Sequence, residues 1–149
     1  MPPEATLLFE LRIDARLEAA FASPLGQRRV VAIDGGSYQG PRLKGIVAPG
    51  GSDWLTTRPD GVREIDVKVL LREDDGEVIA MSYRGYRTAS PEVLAAEMAG
   101  RAADPADFVY RTAHLFEASG RCAWLNDVVG AGVGTRGPQG LVYRVYQLG

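Results

Sequence analysis

Short runs of alternating apolar and polar residues dominate the chain, separated by clusters of Gly, Pro and Asp. The clearest run is 64–71, where Ile65, Val67, Val69 and Leu71 fall on one face and Glu64, Asp66 and Lys68 on the other. A period of two is expected where the two faces of a sheet meet different surroundings. Similar runs predict strands at about residues 6–13, 29–33, 40–48, 53–57, 63–72, 77–87, 108–117, 122–133 and 141–146. RPDG at 58–61, EDDG at 73–76 and RGPQG at 136–140 place Pro where φ is preset and Gly where φ can be positive. PGG at 49–51 is a fourth break.

One segment departs from this pattern. Ser90 suits a helix N-cap, Pro91 the first helical position and Gly100 the end, while Val93, Leu94 and Met98 form one apolar stripe. A single short helix near residues 91–99 is expected. Many strands joined by tight turns argue for an antiparallel meander rather than a βαβ layout. Such a sheet closes into a barrel or splits into a sandwich, because open edges invite aggregation. Interior glycines such as Gly35, Gly85, Gly130 and Gly132 supply bends and favour closure. The expected fold is all-β, an antiparallel closed barrel of about 8–9 strands. With no repeat and no linker, residues 1–149 read as a single domain.

Composition narrows the function classes. Apolar residues make up 46% of the chain, enough for one core without metals or multiple disulfides. Seventeen basic residues face nineteen acidic ones, and Lys44 and Lys68 are the only lysines. That balance gives no footprint for nucleic acid or an anionic membrane, and neither is expected as a partner. Cys122 is the only cysteine, which fits a reducing compartment. No signal-peptide pattern opens the chain, and no segment approaches the roughly 20 apolar residues of a membrane span. A cytoplasmic location is the expectation.

Four phrases carry a family likeness. GGSYQGPRLKGIVAPGGSDW (35–54), RPDGVREIDVKVLLREDDG (58–76), FVYRTAHLFEASGRCAWLND (108–127) and GTRGPQGLVYRVYQL near the end occur in this order. Together they resemble the domain of unknown function 3237 family. The resemblance implies a calycin-like antiparallel β-barrel that self-associates, as a homodimer or higher homo-oligomer. The chain departs from the family pattern at Lys68, where the family has Arg, and at Gln39, where it has Glu or a similar residue.

Most candidate motifs carry little chemistry. GAGVGTRG at 130–137 lacks the following helix whose amides would meet a phosphate, so its glycines read as relief for a bent strand. His114 and Cys122 form no zinc motif, and Asp74 and Asp75 read as solvated turn formers. No metal and no cofactor is expected. No serine sits in a nucleophile elbow.

What remains is a set of polar residues embedded in apolar strands. Asp66 interrupts EIDVKVLL, Asp53 precedes Trp54, Arg111 lies in FVYRTAHLF and Asn126 in AWLNDVV, while Tyr83 and Arg87 occur in MSYRGYR. An eight-stranded barrel is wide enough to hold a small ligand, oriented by a few inward polar groups. If Asp66 points inward, burial raises its pKa and a nearby Arg111 lowers it again. Asp66 with Lys68 can equally be the wet face of a strand, and Asn126 can equally tie strands together. Along 108–117, Arg111 and His114 fall on opposite faces. Arg111 is preferred because it belongs to the family-like phrase.

The expected function is a cofactor-independent acid–base enzyme of the lyase, isomerase or cyclase type. Its substrate would be a small hydrophobic molecule bearing a carbonyl, held in the barrel. Asp66 or Asp53 would move the proton, and Arg111, Asn126 and Tyr83 would receive the oxygen that gains charge. Arg87 joins the substrate-binding set, and Tyr38, Trp54 and Trp124 form apolar walls. The alternatives are a non-catalytic carrier or sensor of small hydrophobic ligands, and a structural dimer with a filled barrel.

Overall fold

A computed structural model of the chain describes residues 1–137 and 140–149. Nine antiparallel strands follow in order: β1 (Ala5–Ser23), β2 (Gly26–Gln39), β3 (Lys44–Val47), β4 (Gly51–Thr57), β5 (Arg63–Glu73), β6 (Val78–Ala89), β7 (Phe108–Ala118), β8 (Gly130–Gly137) and β9 (Gly140–Leu148). One helix, α1 (Pro91–Met98), and 3-10 segments at Pro105–Asp107 and Gly120–Asp127 interrupt them. Each strand pairs with its neighbour from β5 round to β9, β9 pairs with β1, and β1 pairs with β2. The ring closes through β3 and β4, which lie end to end between β2 and β5. The barrel therefore has eight strand positions, one of them filled by two short strands. Closure leaves no strand of the ring wholly at an edge, although β1 beyond Leu11 pairs on one side only.

The period of two decides what the barrel encloses. On β5, Ile65, Val67, Val69 and Leu71 are buried, while Lys68, Leu70 and Arg72 are exposed. On β7 the inward face is Tyr110, Thr112, His114 and Phe116. One end of the lumen is solid. There Phe9 packs edge-on against Tyr38 and Phe116, at 5.5 and 6.3 Å between ring centres. The Gly120–Asp127 segment pushes Cys122 and Leu125 beneath them, both fully buried. Each such apolar side chain contributes about 1.5–3 kcal/mol. At the other end, where β5 begins and β6 ends, α1 is tied to the ring through Glu97, which pairs with Arg63 and Arg87.

Helix α1 starts and stops as its sequence predicts. The Ser90 hydroxyl accepts the Val93 N–H at 3.2 Å, and Gly100 lies past the end with φ +83°. The turns at 58–61 and 73–76 also form, each closed by its glycine N–H onto the carbonyl three residues back. The turn expected at 136–140 includes positions 138 and 139, which lie outside the described residues.

Three expectations change. β1 and β2 run much farther than 6–13 and 29–33 and form a long hairpin, with register shifts between Asp14 and Ala15 and between Leu17 and Ala19. The segment Ala15–Ser23 is exposed along most of its length, so no buried face imposes alternation on it. The strand expected at 40–48 shrinks to Lys44–Val47, because Gly40 donates to the Leu43 carbonyl in a turn. The strand expected at 122–133 begins only at Gly130, since its first half is the 3-10 segment. Among the described residues no helix is long and apolar enough to cross a membrane.

Candidate functional site

Where β5 begins and β6 ends the lumen opens into a cavity of about 270 Å³. Its walls are largely apolar, with Ile33, Leu55, Ile65 and Phe108 among them. Six polar side chains interrupt them: Asp53 from β4, Arg63 from β5, Tyr83 and Arg87 from β6, Tyr110 from β7 and Tyr143 from β9. An enclosed apolar space with a few convergent polar groups is the usual form of a small-molecule site.

Asp53 reaches this space through a local opening in the sheet. β4 and β5 keep one register, with Asp53 opposite Val67 and Thr56 opposite Glu64, yet the two residue pairs between them are not ladder-bonded. The Asp66 N–H freed there donates to Asp53 Oδ1 at 3.2 Å. Burial outweighs that bond and pushes the Asp53 carboxyl up to about 6. The carboxylate thus changes protonation close to neutrality.

Three tyrosines share the cavity with it. Tyr83 and Tyr110 lie within hydrogen-bonding reach of each other, and desolvation raises both well above the ordinary phenol value. Burial pushes Tyr143 up to about 12, and the charge of Asp53 adds to each shift. All three remain protonated at neutral pH. Tyr83 is held from behind by His114, whose ring stacks on it at 4.3 Å. His114 is itself 1% exposed, sits 2.9 Å from Thr112 Oγ1 through Nε2, and is kept neutral because burial lowers it to about 3. It supports the site without facing solvent.

Arg63 and Arg87 stand opposite each other on β5 and β6. Both donate to Glu97 of α1, at 3.0 and 2.7 Å. The Arg87 guanidinium also lies 4.1 Å from the Phe108 ring centre. These contacts fasten the helix across the mouth of the barrel. Among the described residues no group of three or more His, Cys, Asp or Glu is placed to hold a metal ion.

The structure brings together only part of the set expected from sequence. Asp53, Tyr83 and Arg87 line the cavity. Asp66 does not. It faces outward, where it borders a depression of about 540 Å³ on the outer surface with Trp54 and Arg84. Trp54 is 47% exposed there and is no lumen wall. Arg111 also faces outward, its guanidinium folded back onto the Tyr110 carbonyl, because the opposite face of β7 fills the barrel. Tyr38 lies at the solid end, where its hydroxyl donates to the buried Glu73 at 2.6 Å. Trp124 packs beside that end under the Arg42 guanidinium, 3.7 Å from the ring centre. Asn126 ties a loop, since it bonds the N–H and carbonyl of Ala118 and the carbonyl of Ala123. The bond it makes is structural.

Sequence reasoning missed Arg63, Tyr110 and Tyr143. Parity offered a signal for the first two. Arg63 shares a face with Ile65 and Val67, and Tyr110 shares one with His114 and Phe116. Tyr143 stands opposite Leu11, whose side chain is fully buried, a pairing that only the closed ring reveals.

Comparison with known proteins agrees with this architecture. Residues 3–148 match the family described as "Protein of unknown function (DUF3237)". A UPF0311 protein of Clostridium acetobutylicum is 30% identical over 125 residues, covering 83% of this chain and 79% of that protein. A UPF0311 protein of Rhodopseudomonas palustris is 29% identical over 152 residues, covering 99% of each. Among solved structures, a β-barrel-like protein of Acinetobacter baumannii superposes with a TM-score of 0.81 at 30% identity, covering 100% of this chain and 98% of that one. A protein described as an enzyme, from Penicillium herquei, superposes with a TM-score of 0.76 at 22% identity, over 100% of this chain and 96% of its own. That last likeness shows the fold alone. The near-complete match, together with the barrel and its single short helix, makes this chain a member of the DUF3237 family.

Proposed function

We propose that this chain is a cofactor-free acid–base enzyme acting on a small, largely apolar molecule that bears a carbonyl group. Asp53 is the proton-moving group, and Tyr83, Tyr110 and Tyr143 receive the carbonyl oxygen. The supporting observation is a desolvated carboxyl at about 6 beside three protonated phenols in one largely apolar cavity. A base poised near the working pH is both available and strong enough to act. When the Asp53 carboxylate takes a proton from the carbon next to the carbonyl, the C–H electron pair forms a new C=C bond and the carbonyl π pair moves onto the oxygen. Tyrosine O–H groups stabilise that charge in a setting that excludes water. The proton then returns at a remote carbon, giving double-bond migration, or leaves with a β-hydroxyl as water, giving dehydration. The reverse addition of an internal hydroxyl closes a ring.

The test is deuterium uptake from heavy water at the α-carbon of β-tetralone, followed by NMR. The intact protein is expected to exceed buffer alone. Asp53→Asn should abolish the excess while still binding the ketone. Equal exchange by the two proteins would leave the carrier reading in its place.

A further inference from the structure

The α1 end of the cavity holds two cations against one anion. Arg63 and Arg87 share the Glu97 carboxylate, so the cluster keeps one positive charge in excess. Among the described residues, Arg63 Nε and Arg87 Nη1 are buried with no acceptor in reach. Arg87 is only 8% exposed, so water has little access to its free N–H. Leaving a buried charged donor unpaired is costly, and these two belong to arginines that stand opposite each other on β5 and β6 and line the cavity, which suits it to an acceptor. Desolvation and the charge of Arg87 both lower the pKa of Arg63, which is the strain that a second anion would relieve.

From this geometry we propose that the cavity's ligand carries a carboxylate, seated on the free N–H groups of Arg63 and Arg87. Two planar guanidinium donors suit the two oxygens of a carboxylate. The ligand's apolar body would run along Leu55, Ile65 and Phe108 toward Asp53 and the tyrosines. This inference rests on the proposed function and narrows its substrate class to apolar oxo or hydroxy acids. Glu97 competes for the same guanidinium groups, so removing its charge should favour the ligand.

Calorimetry at pH 7.5 with 4-phenylbutyrate and 4-phenylbutyramide tests the proposal. The acid is expected to bind at least about tenfold tighter than the amide, the scale of one lost charge-assisted contact. Arg63→Gln should bring the acid down to the amide's affinity. Glu97→Gln should tighten the acid severalfold and leave the amide unchanged, and it gives a second reading should Arg63→Gln fail to fold. Equal affinity of acid and amide for the intact protein overturns the carboxylate seat and leaves the acid–base reading standing. So does weaker acid binding by Glu97→Gln. Binding of neither compound overturns the carboxylate seat as well, whereas loss of deuterium exchange by Asp53→Asn reports on the acid–base reading alone.

Discussion

The backbone N–H of Asp66 donates to the carboxylate of Asp53, yet the two side chains serve opposite faces of the barrel. One lines the lumen cavity and the other borders the outer surface. Substitution should separate them. Asp53→Asn is expected to lower turnover by about 10²–10⁴, the usual worth of a positioned general base. Asp66→Asn keeps its backbone N–H and should change turnover less than about twofold. Steady-state kinetics on the two variants checks both expectations.

Asp53 also sets the pH dependence of turnover. A base that titrates at about 6 is ionised above that pH and protonated below it. Turnover per enzyme is therefore expected to fall about tenfold per pH unit below 6 and to level off above it. A profile measured between pH 4.5 and 8 should show that limb. A flat profile through 6 would remove Asp53 from the base role.

Stability carries a second signature of the same group. The folded Asp53 titrates at about 6 and an unfolded one near 3.9, so the native state holds the extra proton between those values. Its contribution to stability therefore falls as pH rises through that window. His114 acts in the other direction, because its folded value of about 3 lies below the unfolded value near 6.5. There the unfolded state holds the extra proton, and stability falls as pH drops. Between about pH 4 and 6 the two slopes oppose each other, at about 1.4 kcal/mol per pH unit each. Asp53→Asn removes one of them. Denaturant melts should show the variant gaining stability over the parent as pH rises from 4 to 6, by about 2 kcal/mol in all.

Much of the frame was legible because a sheet with unlike faces writes its period into the sequence. Ile65, Val67, Val69 and Leu71 predicted β5, and Ser90, Pro91 and Gly100 bracketed α1. What alternation could not reveal was which face turns inward. On β7 both faces mix apolar and polar residues, Val109, Arg111, Ala113 and Leu115 against Phe108, Tyr110, Thr112, His114 and Phe116, and the first set lies outside. Val109 is 49% and Leu115 57% exposed. Polar groups that pair with one another, as Thr112 and His114 do, can be buried at little cost, so their polarity does not mark that face as the outer one. The family-like phrase points to Arg111, but the barrel turns the other face inward, with Tyr110 on it. Asn126 misled for another reason: the AWLNDVV run reads as a strand, but a short helical turn places its amide against the end of β7.

Asn126 therefore supports stability rather than the site. Replacing it with Ala removes hydrogen bonds of 2.7–2.9 Å to Ala118 and Ala123. Because the loop is exposed and water can substitute in part, the expected loss is about 1–2 kcal/mol. Thermal melting should register it while turnover at low temperature stays unchanged. A large loss of turnover with an unaltered melt would return Asn126 to the functional set.

Gly132 connects the packing of the lumen to the site. It lies on β8 opposite Thr112, and a Cβ there would stand 2.3 Å from Thr112 Oγ1 and 2.6 Å from His114 Nε2. Neither neighbour can yield freely. His114 is stacked on Tyr83, and its Nδ1 lies 3.3 Å from Met81 Sδ. Gly132→Ala must push the imidazole, and the imidazole must push the Tyr83 ring that backs onto the cavity. Overpacking of this kind typically destabilises by about 1–3 kcal/mol. A displaced phenol no longer meets the reacting oxygen, so turnover is expected to fall about tenfold or more. Removing the nearer obstacle with Thr112→Ala in the same chain should recover part of both losses, measurable as a coupling energy in a double-mutant cycle. Strict additivity would mean that the glycine is there for the strand alone.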